Sequence, residues 1–67
     1  MPSVHIDARV RLKEEVPAYS LQRGVEGTVV SVWLSYGGFR YEVEFRGRSE
    51  SQAVRLLLSI EQLEVVE

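Results

Sequence analysis

Eight consecutive residues, Phe39-Arg40-Tyr41-Glu42-Val43-Glu44-Phe45-Arg46, alternate apolar and charged without a break, and no other stretch limits the fold so tightly. A β-strand turns successive side chains to opposite faces, so this octet places Phe39, Tyr41, Val43 and Phe45 on one side and four charges on the other. A helix would scatter the same residues around its circumference. The octet is therefore a strand with one face on a core and one in water. The same period of two runs through residues 8–13, where Ala8, Val10 and Leu12 alternate with Arg9, Arg11 and Lys13. A third strand is expected over residues 28–33, which are rich in β-branched and aromatic side chains and follow Gly24-Val25-Glu26-Gly27. Because Val29, Val30 and Val32 break strict alternation, a bulge or sharp bend belongs near its start.

Turn chemistry connects these strands. Tyr36-Gly37-Gly38-Phe39 is the clearest hairpin signal in the chain, since adjacent glycines accept the positive φ angles of tight turns. Residues 14–22 lose the alternation and contain Pro17, which disfavours both helix interior and central strand, so a long, partly packed loop is expected there. Residues 47–51 are polar and turn-forming, and residues 53–58 make a fourth apolar run. Ser59 and Gln62 have the spacing of a capping box, which predicts one turn of 3₁₀ or α helix before a short closing strand over residues 63–66. Five short strands, one long early loop and a single helical turn before the last strand describe an all-β, SH3-like barrel. Such a barrel bends a small sheet until most of its edges meet. Sixty-seven residues allow one such domain, its core spanning about residues 7–66. Val10, Leu12, Val30, Val32, Val43, Phe45, Leu56, Leu58 and Leu63 are expected to face its interior.

Charge and residue counts narrow the chemistry. Eight Lys and Arg against ten Asp and Glu give a net charge of -2, which argues against a dedicated binder of nucleic acid. The chain holds no cysteine, so disulfides, iron-sulfur clusters and thiolate zinc sites are excluded. His5 is the only histidine, and one imidazole without cysteine supplies neither a zinc site nor an activating base for a serine nucleophile. Glu42 and Glu44 share a strand face at about 7 Å, a spacing for an acid and a base, but Arg40 and Arg46 flank them and nothing apolar adjoins them in sequence, which reads as a solvated face. The expectation is a non-enzymatic protein with no metal and no cofactor. With no basic apolar leader and no run of about 18 apolar residues, a cytoplasmic setting is the simplest reading.

The run Arg23-Gly24-Val25-Glu26-Gly27-Thr28-Val29-Val30, then Tyr41-Glu42-Val43-Glu44-Phe45, then Leu57, Leu58, Gln62-Leu63 and Val65-Val66 resembles a family of short bacterial proteins frequent in cyanobacteria, family 4926 of domains of unknown function. The resemblance covers roughly residues 7–66. It implies an SH3-like fold and no established reaction, and it implies a gene beside another small gene, an arrangement suited to a partner or to neutralising a toxin. The Ala-Leu-Tyr-Asp-Tyr opening and Trp-Trp pair of signalling SH3 domains are missing. Pro17, Tyr19, Arg23 and Gly24 are similar to a pattern in the barrel of the nitrile hydratase β-subunit, with extra residues between Tyr19 and Arg23.

Two surfaces remain as candidate binding sites. Trp33, Tyr36, Phe39 and Tyr41 gather around the glycine turn: either Trp33 and Tyr41 join the core while the others cap a hairpin, or the cluster meets a partner, because aromatic side chains dominate interface energetics. The favoured expectation is a protein-protein interaction module contacting its partner through Tyr19, Trp33, Tyr36 and Phe39, itself a monomer or weak homo-oligomer. The alternative is a nucleic-acid-binding barrel using Arg9, Arg11, Lys13, Arg23, Arg46 and Arg48. A further alternative is an accessory subunit docking on a redox or hydrolytic enzyme complex.

Overall fold

The computed structural model describes residues 4–46 and 53–66. Its strands are β1 (Arg9–Leu12), β2 (Glu26–Ser35), β3 (Gly38–Arg46), β4 (Ala53–Leu58) and β5 (Leu63–Val65), all antiparallel, in the order β4-β3-β2-β1-β5. Consecutive strands β1 to β4 are neighbours, and the chain then returns to lay β5 on the far side of β1. This is the all-β, five-stranded SH3-like arrangement that the turn spacing predicts. The sheet stays open: among the described residues no ladder joins β4 to β5. No helix among them is long and apolar enough to cross a membrane.

The connections follow from their residues. Between β1 and β2 the chain folds back on itself through a Val16–Leu21 bridge around a 3₁₀ turn, Pro17–Tyr19. The fixed φ of Pro17 suits the first position of that turn, and Val16 and Leu21 are half-buried against the core. A 3₁₀ turn, Ile60–Gln62, directly precedes β5 as the capping spacing predicts. There Gln62 Oε1 accepts the Ser59 backbone N–H at 2.9 Å and the Ser59 hydroxyl at 3.2 Å. The turn expected over residues 47–51 lies outside the described residues.

The core is Ala8, Val10, Leu12, Val29, Val43, Phe45, Leu58 and Leu63, with Leu56 and Tyr41 packed against it half-buried. Two expected members are displaced. Val30 is only half-buried and Val32 is exposed, while Val29 is fully buried in their place. The cause is the bulge near the start of the strand. Val29 pairs with Val43 and Ser31 with Glu42, which leaves Val30 as an extra residue opposite nothing. Parity before the bulge is set by Val29, and Val32, although it regains that parity, lies beyond the end of the core. Strand β2 also runs further than its β-branched segment suggests, because Gly27 pairs with Val10 at one end and Leu34 with Phe39 at the other.

Gly27 marks the tightest point of this packing. A β-carbon there would stand 2.8 Å from the Glu44 carbonyl oxygen, the Phe45 ring and Val43 Cγ1. The first of these is backbone and cannot rotate away. Gly27→Ala is therefore expected to destabilise the domain by about 1–3 kcal/mol through overpacking, read as a lower midpoint in urea denaturation with an unchanged slope. Val43 is fully buried between Val29 and Leu56 on the flanking strands. A chain of this length holds roughly 3–10 kcal/mol of stability at about 0.05–0.15 kcal/mol per residue, and Val43→Asp should abolish its cooperative melt in circular dichroism by burying an uncompensated charge. An unaltered melt would mean that Val43 does not face the interior.

Candidate functional site

Beyond the bulge, β2 and the start of β3 leave the core as a two-stranded ribbon with pairs Val32–Tyr41, Trp33–Arg40, Leu34–Phe39 and Ser35–Gly38. Tyr36 and Gly37 close it. The positive φ of Gly37, 87°, sits at the second central position of that turn, where a β-carbon would be strained. Opposed residues of an antiparallel pair share a face, so Val32, Tyr41, Leu34 and Phe39 continue the face that carries Val29 and Val43, now with little above them. Val32 is 37% exposed, Phe39 55%, Leu34 77%, and Tyr36 at the tip is fully exposed. The ribbon thus carries the core's apolar row out into solvent.

Trp33 points the other way. It shares the outer face with Ser31, Arg40 and Glu42 and is 56% exposed, so it does not join the core; Tyr41 does, in part. Its indole Nε1–H donates to Ser31 Oγ at 2.7 Å, and the Ser31 hydroxyl donates onward to Glu42 Oε1 at 2.6 Å. This relay pins a large exposed aromatic ring in one orientation. A pre-ordered side chain loses less entropy on binding. Tyr19 is exposed on the Pro17–Tyr19 turn, in a different loop from the other three aromatic candidates. The hairpin accordingly brings together Trp33, Tyr36 and Phe39, on two faces and a tip, with Tyr19 supplied from elsewhere. The sequence pattern does not mark Val32, Leu34 and Ser31 as site residues. The signal for them was the broken alternation at Val29-Val30, which reverses the parity of everything after it.

The basic candidates sit in a checkered field. Arg11 pairs with Glu64 at 3.0 Å, and Arg46 approaches Glu44 at 3.7 Å. Glu44 also holds Arg55 at 3.0 Å. Arg9 and Arg46 share a shallow depression with Glu26 and Glu44, so that hollow carries no net charge. Arg11, Lys13 and Arg23 line another together with Glu64. Arg48 lies outside the described residues. Glu42 and Glu44 are engaged by a hydroxyl and two guanidinium groups rather than set as an acid and a base. The His5 ring lies at the surface with Nδ1 2.7 Å from the Ile6 carbonyl oxygen. Among the described residues no three His, Cys, Asp or Glu converge to hold a metal.

Because the chain has a single tryptophan, the Trp33–Ser31–Glu42 relay has its own spectroscopic signature. Ser31→Ala removes both hydrogen bonds and should weaken the near-ultraviolet circular dichroism of the indole while lowering stability by only about 1 kcal/mol. An unchanged indole band would show that the ring is held by something else.

No curated protein and no solved structure matches the chain. The profile of one family, described as Domain of unknown function (DUF4926), matches residues 7–65. That span takes in all five strands, the Gly27 contact and the ribbon alike, and the chain belongs to the DUF4926 family.

Proposed function

We propose that this protein is a non-enzymatic interaction module that binds another protein through the β2–β3 ribbon. One observation carries the reading. Of nine large hydrophobic residues exposed among the described residues, five fall between Val32 and Phe39. Scattered exposed apolar residues need no explanation, whereas a contiguous set marks a binding surface. Leu34, Phe39 and Val32 supply an apolar row, Tyr36 a tip and Trp33 an ordered ring on the opposite face, so a partner that grips the ribbon meets apolar area from both sides. Tyr19 contributes only to a partner large enough to reach the β1–β2 loop as well.

The proposal sets this role in the bacterial cytoplasm, a compartment that a cysteine-free chain fits. The partner is the product of a neighbouring gene, which the protein neutralises or assists; docking on a redox or hydrolytic enzyme complex is a special case of the same contact. Nucleic-acid binding through Arg9, Arg11, Lys13, Arg23, Arg46 and Arg48 is less well supported, because Arg11 and Arg46 face carboxylates and the net charge of -2 gives no long-range pull toward a polyanion.

Co-purification from native cells followed by mass spectrometry identifies the partner, and calorimetric titration then apportions the contact. Phe39→Ala and Tyr36→Ala should each weaken binding by about 1–3 kcal/mol, roughly 5- to 150-fold, with little change in melting temperature and little dependence on salt. Replacing Arg9 and Arg11 with Ser should leave that affinity within about twofold. Binding to DNA or RNA that falls steeply with salt and disappears in the double Arg variant would reverse the assignment.

A further inference from the structure

The two edges of the open sheet are built differently. At one edge, β5 has only three residues, and its exposed Glu64 is tied to Arg11. Short, charged edges are the usual protection against pairing with another chain. At the other edge, β4 runs for six residues, Ala53-Val54-Arg55-Leu56-Leu57-Leu58, and among the described residues it pairs only with β3 in the sheet. It contains no proline, no lysine and no interruption in its register with β3. Its one charge, Arg55, is drawn back onto Glu44 at 3.0 Å, and Leu57 beside it is 59% exposed. The outward backbone N–H and C=O groups of such a strand are satisfied in one way that also covers its side chains, by another extended strand.

We propose that β4 pairs antiparallel with β4 of a second copy of this chain, joining two five-stranded sheets about a two-fold axis. The side chains themselves choose the register. Opposed residues share a face, and a two-fold axis perpendicular to the sheet must therefore pass through one residue position. An axis at Arg55 would set two guanidinium groups against each other, a destabilising contact, and an axis at Leu57 would overlap only Leu56–Leu58, since Ser59 lies beyond the strand. An axis at Leu56 instead places Leu56 opposite its own counterpart, Val54 opposite Leu58, and Arg55 opposite Leu57. In that register every apolar residue of the inner face meets an apolar residue. On the outer face the aliphatic stem of Arg55 lies over the exposed Leu57 while its charged end stays with Glu44. A single pair of six-residue strands covers less than the roughly 1,200–2,000 Å² of a stable interface, so the dimer forms reversibly. The edge is separate from the aromatic ribbon, and this pairing does not depend on the function proposed for it.

Sedimentation equilibrium of the intact protein from about 20 µM to about 1 mM should show a reversible monomer–dimer equilibrium, and amide spectra over the same range should shift at Ala53–Leu58. The two charge variants at position 57 have opposite expected outcomes. Leu57→Lys sets a second cation beside Arg55 of the other copy and should weaken dimerisation at least about tenfold. Leu57→Glu sets a carboxylate there and should preserve or tighten it. Within one chain the order reverses, because Leu57 neighbours Glu42 on β3. Melting temperatures should therefore favour the Lys variant, which separates loss of pairing from loss of fold. A chain that stays monomeric to about 1 mM, equal dimerisation of the two variants, or concentration-dependent shifts confined to residues 32–39 would each overturn the pairing of β4 with itself.

Discussion

The extra residue in β2 governs the layout of the whole surface. Val29 and Ser31 pair with successive residues of β3, so Val30 has no partner and the strand changes parity as it passes. Without that change Trp33 would lie on the core-facing side, and Val32 and Leu34 would lie on the charged side. With it, an apolar row continues off the core onto the free ribbon, and the tryptophan is moved to the face that holds Ser31 and Glu42. A bulge also sharpens local twist, which is how a sheet of only five strands can wrap around the eight residues of its core.

Close packing at the other end of β2 holds this geometry in place. Gly27 lets the strand lie against the backbone of β3 and the Phe45 ring with no room for a side chain. Phe45 is the largest fully buried residue, and its ring edge would stand 2.8 Å from a β-carbon at Gly27 on β2. The bulge at Val30, three residues further on, is thus flanked by a contact that cannot slide. A one-residue slip would exchange the buried and exposed faces of β3 and place Glu44 in the core.

The outer face follows a different rule. Across β5, β1 and β2, Glu64, Arg11 and Glu26 stand side by side, and Arg9, Thr28, Glu44 and Arg55 form the next row across β1 to β4. Opposite charges on neighbouring strands support each other only modestly at the surface. Their larger effect is to cancel the field that Arg9 and Arg11 on β1 would otherwise project. An interleaved face of this kind suits solubility, and most of the large hydrophobic residues exposed among the described residues lie instead on the ribbon and at Leu57 of the β4 edge.

The sequence by itself determined the strands, their inward faces and their turns wherever the information was local. The unbroken alternation from Phe39 to Arg46 specified β3 and buried Val43 and Phe45; the paired glycines specified the hairpin; Ser59 and Gln62 specified the turn before β5. Local spacing also announced a bulge near Val29. It did not say which residue would be the extra one, because that depends on the partner strand: only the pairing of Val29 with Val43 and Ser31 with Glu42 made it Val30. Hence the sequence pattern puts Val30 and Val32 in the core and does not mark Leu34 and Ser31 for the site. Tertiary structure alone decided how far the core extends along the ribbon, which carboxylate holds each arginine, and that the sheet stays open between β4 and β5. These depend on residues far apart in the chain, where a pattern of two residues carries no information.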